Sequence, residues 1–249
     1  MSGISLNFDG QIAVLTLDNP ERHNALGKVA IEAAVEAIRD AQKRARVLLI
    51  TGAGEQTFCA GALLSDMQSG SLNPDSFERV TNALYACPIP TIAALNGNAF
   101  GGGVELALCC DFRLAREGIK LQVPASSIGI CYPANGIKRL VAILGLDSAK
   151  HLLLQGRAIE GDALIYSGAI EQILPSEQLL PVAWQRAQNL AQLAPLAMKG
   201  MKELLNRAAV DEWDDARYRD ISQRCLLSED LIEGLAAKKE KRQAHFKGK

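Results

Sequence analysis

The chain has 249 residues, 27 Lys and Arg against 28 Asp and Glu, a net charge of −1, and 48% apolar residues. That length buries a sizeable core, and the composition is that of an ordinary globular protein. The balanced charge excludes the strong basic footprint of a nucleic-acid binder, and no apolar run approaches the roughly 20 residues of a membrane span. The first residues lack a charged-then-apolar signal pattern, and the Lys-Gly-Lys ending is no retention or peroxisomal address.

Taken in order, residues 4–8 and Ile12–Leu17, split by Asp9-Gly10, read as a hairpin of two short strands. A helix follows from Ala30, with Ile31, Ala34, Val35 and Ile38 on one stripe and Glu32, Glu36, Arg39 and Lys43 outside it. Residues 47–51 form a buried strand ending at Gly52-Ala53-Gly54. A second helix over 75–86 is stopped by Cys87-Pro88 and Pro90. Thr91–Leu95 is again a buried strand, leading through Asn96-Gly97 into Gly101-Gly102-Gly103 and a helix carrying Glu105. Strand-then-helix recurrence implies parallel pairing and an α/β core. From about Asn135 the pattern is helical: 136–144, 147–155, 161–167 and three longer segments after Glu177. We expect a core over 1–190 and a helical portion over 191–249, packed on the core or on a neighbouring subunit.

The glycine run is the most informative stretch. Three glycines remove every side chain, so a ligand can lie on the backbone amides. A helix starting there aims free N–H groups and its positive dipole end at that ligand, which is how a developing oxyanion is held. Glu105, on the first turn, reads locally as a glutamate favoured by the dipole, with proton transfer as its second use. Six cysteines (Cys59, Cys87, Cys109, Cys110, Cys131, Cys225) lack C-x-x-C spacing and read as small core residues in a reducing compartment, so a cytoplasmic location is expected. Three scattered histidines (His23, His151, His245) offer no ligand spacing, so no metal is expected. Neither a Gly-x-Ser-x-Gly elbow nor a phosphate-binding P-loop is present, which excludes those routes to hydrolysis. Asp111, after two cysteines, reads as structural.

Four ordered segments resemble the crotonase (enoyl-CoA hydratase/isomerase) superfamily over essentially the whole chain. They are Asn19-Pro20-Glu21-Arg22-His23-Asn24-Ala25-Leu26, Thr57-Phe58-Cys59-Ala60-Gly61-Ala62, the glycine stretch through Cys110-Asp111-Phe112-Arg113, and Glu240-Lys241-Arg242-Gln243-Ala244-His245-Phe246. The resemblance implies an α/β spiral of ββα units with a helical C-terminal oligomerisation region, assembled as a homotrimer or homohexamer. It implies an acyl-coenzyme A thioester as substrate and no cofactor beyond that coenzyme A. The amides of Ala62 and Gly102 would hold the thioester oxygen, with Glu105 as acid/base. Ala25, Leu26, Ala60, Leu63, Leu64, Gly101 and Lys241 match substrate-contacting positions, and His23 borders the coenzyme A adenine pocket.

The departures narrow the reaction. Family hydratases carry a second glutamate where this chain has Ala125, within Val123-Pro124-Ala125-Ser126-Ser127. Alanine exchanges no proton, and a positioned acid/base group is worth about 10²–10⁴ in rate. Leu63 stands where an aspartate is common, which makes the acyl pocket apolar. Three accounts follow. Tyr132, or less readily Ser126 or Ser127, supplies the missing function; or one carboxylate suffices, as in isomerisation or decarboxylation; or the site binds acyl-CoA without turnover. Neither nucleic acid nor membrane is an expected partner.

Overall fold

The computed structural model describes residues 3–249. β1 (Ile4–Asp9) and β2 (Ile12–Leu17) form the expected antiparallel hairpin. Its register pairs Asp9 with Ile12, so the turn residues are Gly10 and Gln11, with Gly10 at φ 55°. α1 (Lys28–Arg44) begins two residues before Ala30 and buries Ile31, Ala34, Val35, Ile38 and Ala41 along one stripe. β3 (Val47–Gly52) and the short β4 (Thr57–Cys59) follow, then α2 (Leu64–Gln68) and α3 (Pro74–Tyr85). An Asn73–Ser76 capping box sets the start of α3.

Next come β5 (Thr91–Leu95), β6 (Asn98–Phe100) and α4 (Gly102–Leu108), then β7 (Phe112–Arg116), β8 (Lys120–Gln122) and α5 (Ala134–Leu154). Two helices were expected over the α5 stretch. They are present and meet at Gly145, whose φ of 74° and ψ of 163° break the helical backbone between them; the two together are labelled α5. β9 (Ile159–Glu160), α6 (Ala163–Tyr166) and β10 (Gln172–Leu174) lead to α7 (Ser176–Ala191), α8 (Pro195–Ala209), α9 (Asp215–Leu226) and α10 (Glu229–Glu240). Four helices therefore follow Glu177's neighbourhood, not three, because Ser228 caps a new start at α10 by accepting the Leu231 N–H.

The strands build two sheets, β1-β2-β3-β5-β7-β10 and β4-β6-β8-β9. Each turn of chain gives one strand to each sheet and then a helix: β3 and β4, β5 and β6, β7 and β8. Neighbouring turns pair in parallel in both sheets. This is the ββα spiral. Within β3 and β5, alternate residues face opposite sides. Val47, Leu49, Ile92 and Ala94 meet Leu179, Ala183 and Ala187 of α7, while Leu48, Ile50, Ala93 and Leu95 enter the main core beneath α1, α3 and α4. Alanines four apart let α7 lie close on the sheet, and burying Leu179 contributes about 2 kcal/mol.

The helical region is tied to the core by a buried ion. Lys202 of α8 reaches Asp111 at 2.7 Å and the Ile89 carbonyl at 3.0 Å. Asp111 also accepts the Thr91 backbone N–H at 2.7 Å and the Thr91 hydroxyl at 2.9 Å, a structural use of that carboxylate. The last residues fold back on the same chain: Arg242 forks onto Glu233, and Arg46 donates to the Phe246 carbonyl. No helix among the described residues is long and apolar enough to cross a membrane.

Candidate active site

Two loops meet above β4 and β6. The first, residues 60–63, is held by Leu26, which donates to the Gly61 carbonyl at 2.8 Å and accepts from Leu63 N–H at 3.0 Å. That pairing uses the residues on either side of Ala62 and leaves the Ala62 N–H pointing away. The second loop is the glycine run. Gly101 has φ 50° and ψ −123°, a backbone that L side chains rarely adopt, and it swings the chain into α4. Gly102 is then the first helical residue, with an N–H that has no acceptor within the helix. Among the described residues no hydrogen bond uses the amide of Ala62 or of Gly102.

Side-chain absence brings these amides together. A Cβ on Gly61, which sits at φ 82°, would lie 2.8 Å from the Gly102 nitrogen and 2.8 Å from the Phe100 carbonyl. A Cβ on Gly103 would lie 2.2 Å from the Cys59 carbonyl, and one on Gly102 would strike the Phe77 ring. The glycines at 61 and 103 thus admit close backbone approach, and Gly102 makes room for the Phe77 ring.

Glu105 is buried on the first turn of α4. Its Oε1 lies 3.1 Å from Nη1 of the buried Arg139 of α5. The guanidinium also donates to Asn82 and to Thr81, and stacks 4.5 Å from the Tyr85 ring centre. Burial pushes the Glu105 carboxyl above the usual carboxylate range, while Thr81, Arg139 and the Tyr132 hydroxyl pull it back. The Tyr132 hydroxyl is itself pushed well up by burial and by the Glu105 charge, so it stays protonated and acts as a donor. It reaches the Gly101 carbonyl at 3.4 Å. Tyr132 therefore stands beside Glu105, on the same side of the cavity.

A cavity of about 310 Å³ opens in front of these groups. Ala60, Ala62, Leu64, Gly101, Gly102, Glu105, Ala125 and Tyr132 line it together with Met67, Phe77, Phe100, Ile128 and Ile130. Of the remaining sequence-derived positions, Ala25 and Leu26 are buried behind the 60–63 loop, and Leu63 packs toward Gly27. Lys241 caps α10 and lines neither this cavity nor the one adjoining it. His23 lines an adjoining cavity of about 510 Å³ with Arg116 and Lys120, and Ala60 and Phe100 border both spaces. A further cavity of about 520 Å³, between α3 and α8–α9, contains neither the free amides nor Glu105. No cluster of metal-ligating side chains occurs among the described residues.

The sequence reading missed Arg139 and Thr81. Both carried a signal: Thr81 falls on the apolar stripe of α3 with Phe77, Val80 and Leu84, and Arg139 sits before Leu140 and Val141. Buried polar residues in such places need partners.

Comparison with known proteins matches residues 7–249 to the enoyl-CoA hydratase/isomerase family. The chain belongs to that family. It is 34% identical to a crotonyl-CoA hydratase of Syntrophomonas wolfei over 98% of this chain and 97% of the other. It is 33% identical to a carnitinyl-CoA dehydratase of Salmonella arizonae over 98% of each. Among solved structures, an enoyl-CoA hydratase/carnithine racemase from Magnetospirillum magneticum superposes with a TM-score of 0.92 at 28% identity, covering 100% of this chain and 97% of that one. An enoyl-CoA hydratase from Bacillus anthracis gives 0.89 at 28% identity, covering 99% and 100%. The chain is thus an enzyme of the hydratase/isomerase family with the crotonase fold.

Proposed function

We propose that the apolar cavity takes the acyl part of a coenzyme A thioester and that the Ala62 and Gly102 amides hold its carbonyl oxygen. Charge gathers on that oxygen when an enolate forms, and preorganised donors stabilise it there without reorganisation. One observation carries this reading: two unspent amides, forced together by Gly61, stand one helical turn from a buried carboxylate. Glu105 then moves the proton at the carbon next to the thioester. Arg139 and Tyr132 orient it, and its raised pKa suits a group that must both take and return a proton. The coenzyme A arm leaves past Ala60 and Phe100, where Arg116 and Lys120 offer charge to its phosphates. The chemistry needs no group beyond the thioester itself.

The ion pair to Arg139 favours a second reading, acyl-CoA binding without turnover, because it opposes protonation of Glu105 and gives the carboxylate a structural partner. A panel of enoyl-CoA thioesters separates the two. Wild type converts at least one member, and Glu105→Gln slows that conversion by about 10²–10⁴-fold. Calorimetric binding with no conversion of any member would establish the binder instead. We assign the exposed Leu226, Leu227, Ile232 and Leu235 of the C-terminal helices to contacts between copies in a homotrimer or homohexamer. The six free thiols fit a cytoplasmic setting.

A further inference from the structure

Among the described residues the acyl cavity is lined by two carboxylates, Glu105 and Glu78. Glu78 takes no part in holding Glu105, and no cation pairs with it among the described residues. It projects from α3 one turn before Thr81, so both reach the same side of that helix. Its Oε1 accepts the Asn135 backbone N–H at 3.2 Å. Glu105 meets the next residue, Gly136: a Cβ there would lie 2.8 Å from Glu105 Oε2. The two carboxylates therefore meet consecutive residues at the start of α5, and both line the cavity. Apart from these two and Tyr132, the side chains lining the cavity are apolar, Ala125 among them.

We propose that Glu78 is a second catalytic carboxylate, which holds water for addition to an enoyl thioester and takes its proton. The proposal rests on the assignment of Glu105 and the two amides above. Addition to a carbon–carbon double bond needs a base for the water and an acid for the carbon beside the thioester. The water oxygen bonds to the β-carbon as one O–H bond breaks and its proton passes to the Glu78 carboxylate. The π electrons move onto the thioester oxygen, held by Ala62 and Gly102. As the carbonyl reforms, the α-carbon takes a proton from the Glu105 carboxyl. Glu78, partly exposed, returns its proton to solvent, and Glu105 regains one. One oxygen of Glu78 is fixed by Asn135, which leaves the other for water. Nothing else is asked of the α3 backbone.

A purely structural role would be capping: α5 starts after Pro133 and has no side-chain cap of its own. Glu78→Gln separates the two roles, since the amide oxygen still accepts the Asn135 N–H while the base is lost. Wild type, Glu78→Gln and Glu105→Gln are each given crotonyl-CoA and a longer trans-2-enoyl-CoA, and water addition is followed. Each is also incubated with butyryl-CoA in deuterium oxide, and deuterium at the α-carbon is read by mass spectrometry. The expected result is water addition by wild type, slowed about 10²–10⁴-fold in Glu78→Gln. The ratio of water addition to deuterium uptake falls in proportion, and Glu105→Gln loses both. Three results overturn the proposal: Glu78→Gln adding water at the wild-type rate, Glu78→Gln losing both reactions together, or a wild type that takes up deuterium but never adds water. A wild type that does neither overturns the Glu105 assignment instead.

Discussion

Replacing Gly61 by alanine perturbs the site at the point where its two loops touch. The new Cβ meets the Gly102 nitrogen at 2.8 Å and the Phe100 carbonyl at 2.8 Å, against an ordinary contact of 3.4 Å or more. Both neighbours are backbone, so no side chain can swing aside. The loops must separate by roughly half an ångström, and the Ala62 and Gly102 amides lose their common focus. Losing one such donor is worth about 10²–10³ in kcat. The residue also sits at φ 82°, which L side chains tolerate poorly. Together, strain and overpacking destabilise by about 2–4 kcal/mol. For a chain of this size that is a fall in Tm of roughly 5–15 °C. Steady-state kinetics on the best enoyl-CoA substrate, with thermal unfolding of the same preparation, reads both effects. A Gly61→Ala enzyme with wild-type kcat would refute the reasoning, whatever its Tm.

Three further outcomes follow from the groups around Glu105 and from the buried Lys202. Arg139→Met removes the cation that opposes the burial shift of Glu105, so its pKa rises further; in α-carbon deuterium exchange of butyryl-CoA, where Glu105 acts first as base, the acidic limb of the rate profile moves to higher pH. The stranded carboxylate also lowers stability by about 3–5 kcal/mol, measurable by urea unfolding at neutral pH. Tyr132→Phe removes a donor to Glu105, shifts the same limb in the same direction, and leaves plateau kcat within about tenfold. A plateau loss beyond about 10² would make the tyrosine an acid/base group in its own right. Lys202→Met leaves Asp111 and the Ile89 carbonyl without their cation and lowers stability by about 3 kcal/mol, with little change in KM.

Long apolar strands and amphipathic helices were legible because their pattern repeats several times within the element. β5 falls on Thr91–Leu95 as read, and α1 differs by two residues at its start. β4, β6 and β8 span three residues each, too few for alternation to register, so the second sheet stayed hidden. The glycine run stands out in the sequence as bare backbone ahead of a helix, but that Gly61 and Gly103 admit the neighbouring backbone and Gly102 the Phe77 ring follows only from the packing of the two loops. What holds Glu105 was not. Thr81, Tyr85 and Arg139 lie 24, 20 and 34 positions from it in sequence, and only the packing of α3 and α5 on α4 brings them together. Glu78 illustrates the same limit: beside Phe77 on an amphipathic helix it reads as a surface charge, and only the Asn135 N–H turns it toward the cavity.

The structure of the complex with a saturated acyl-coenzyme A tests the central claim most directly. The account predicts the thioester oxygen about 2.7–3.1 Å from both the Ala62 and Gly102 nitrogens, with the α-carbon against the Glu105 carboxyl. A thioester oxygen bound away from these amides, or an α-carbon out of reach of Glu105, would contradict it.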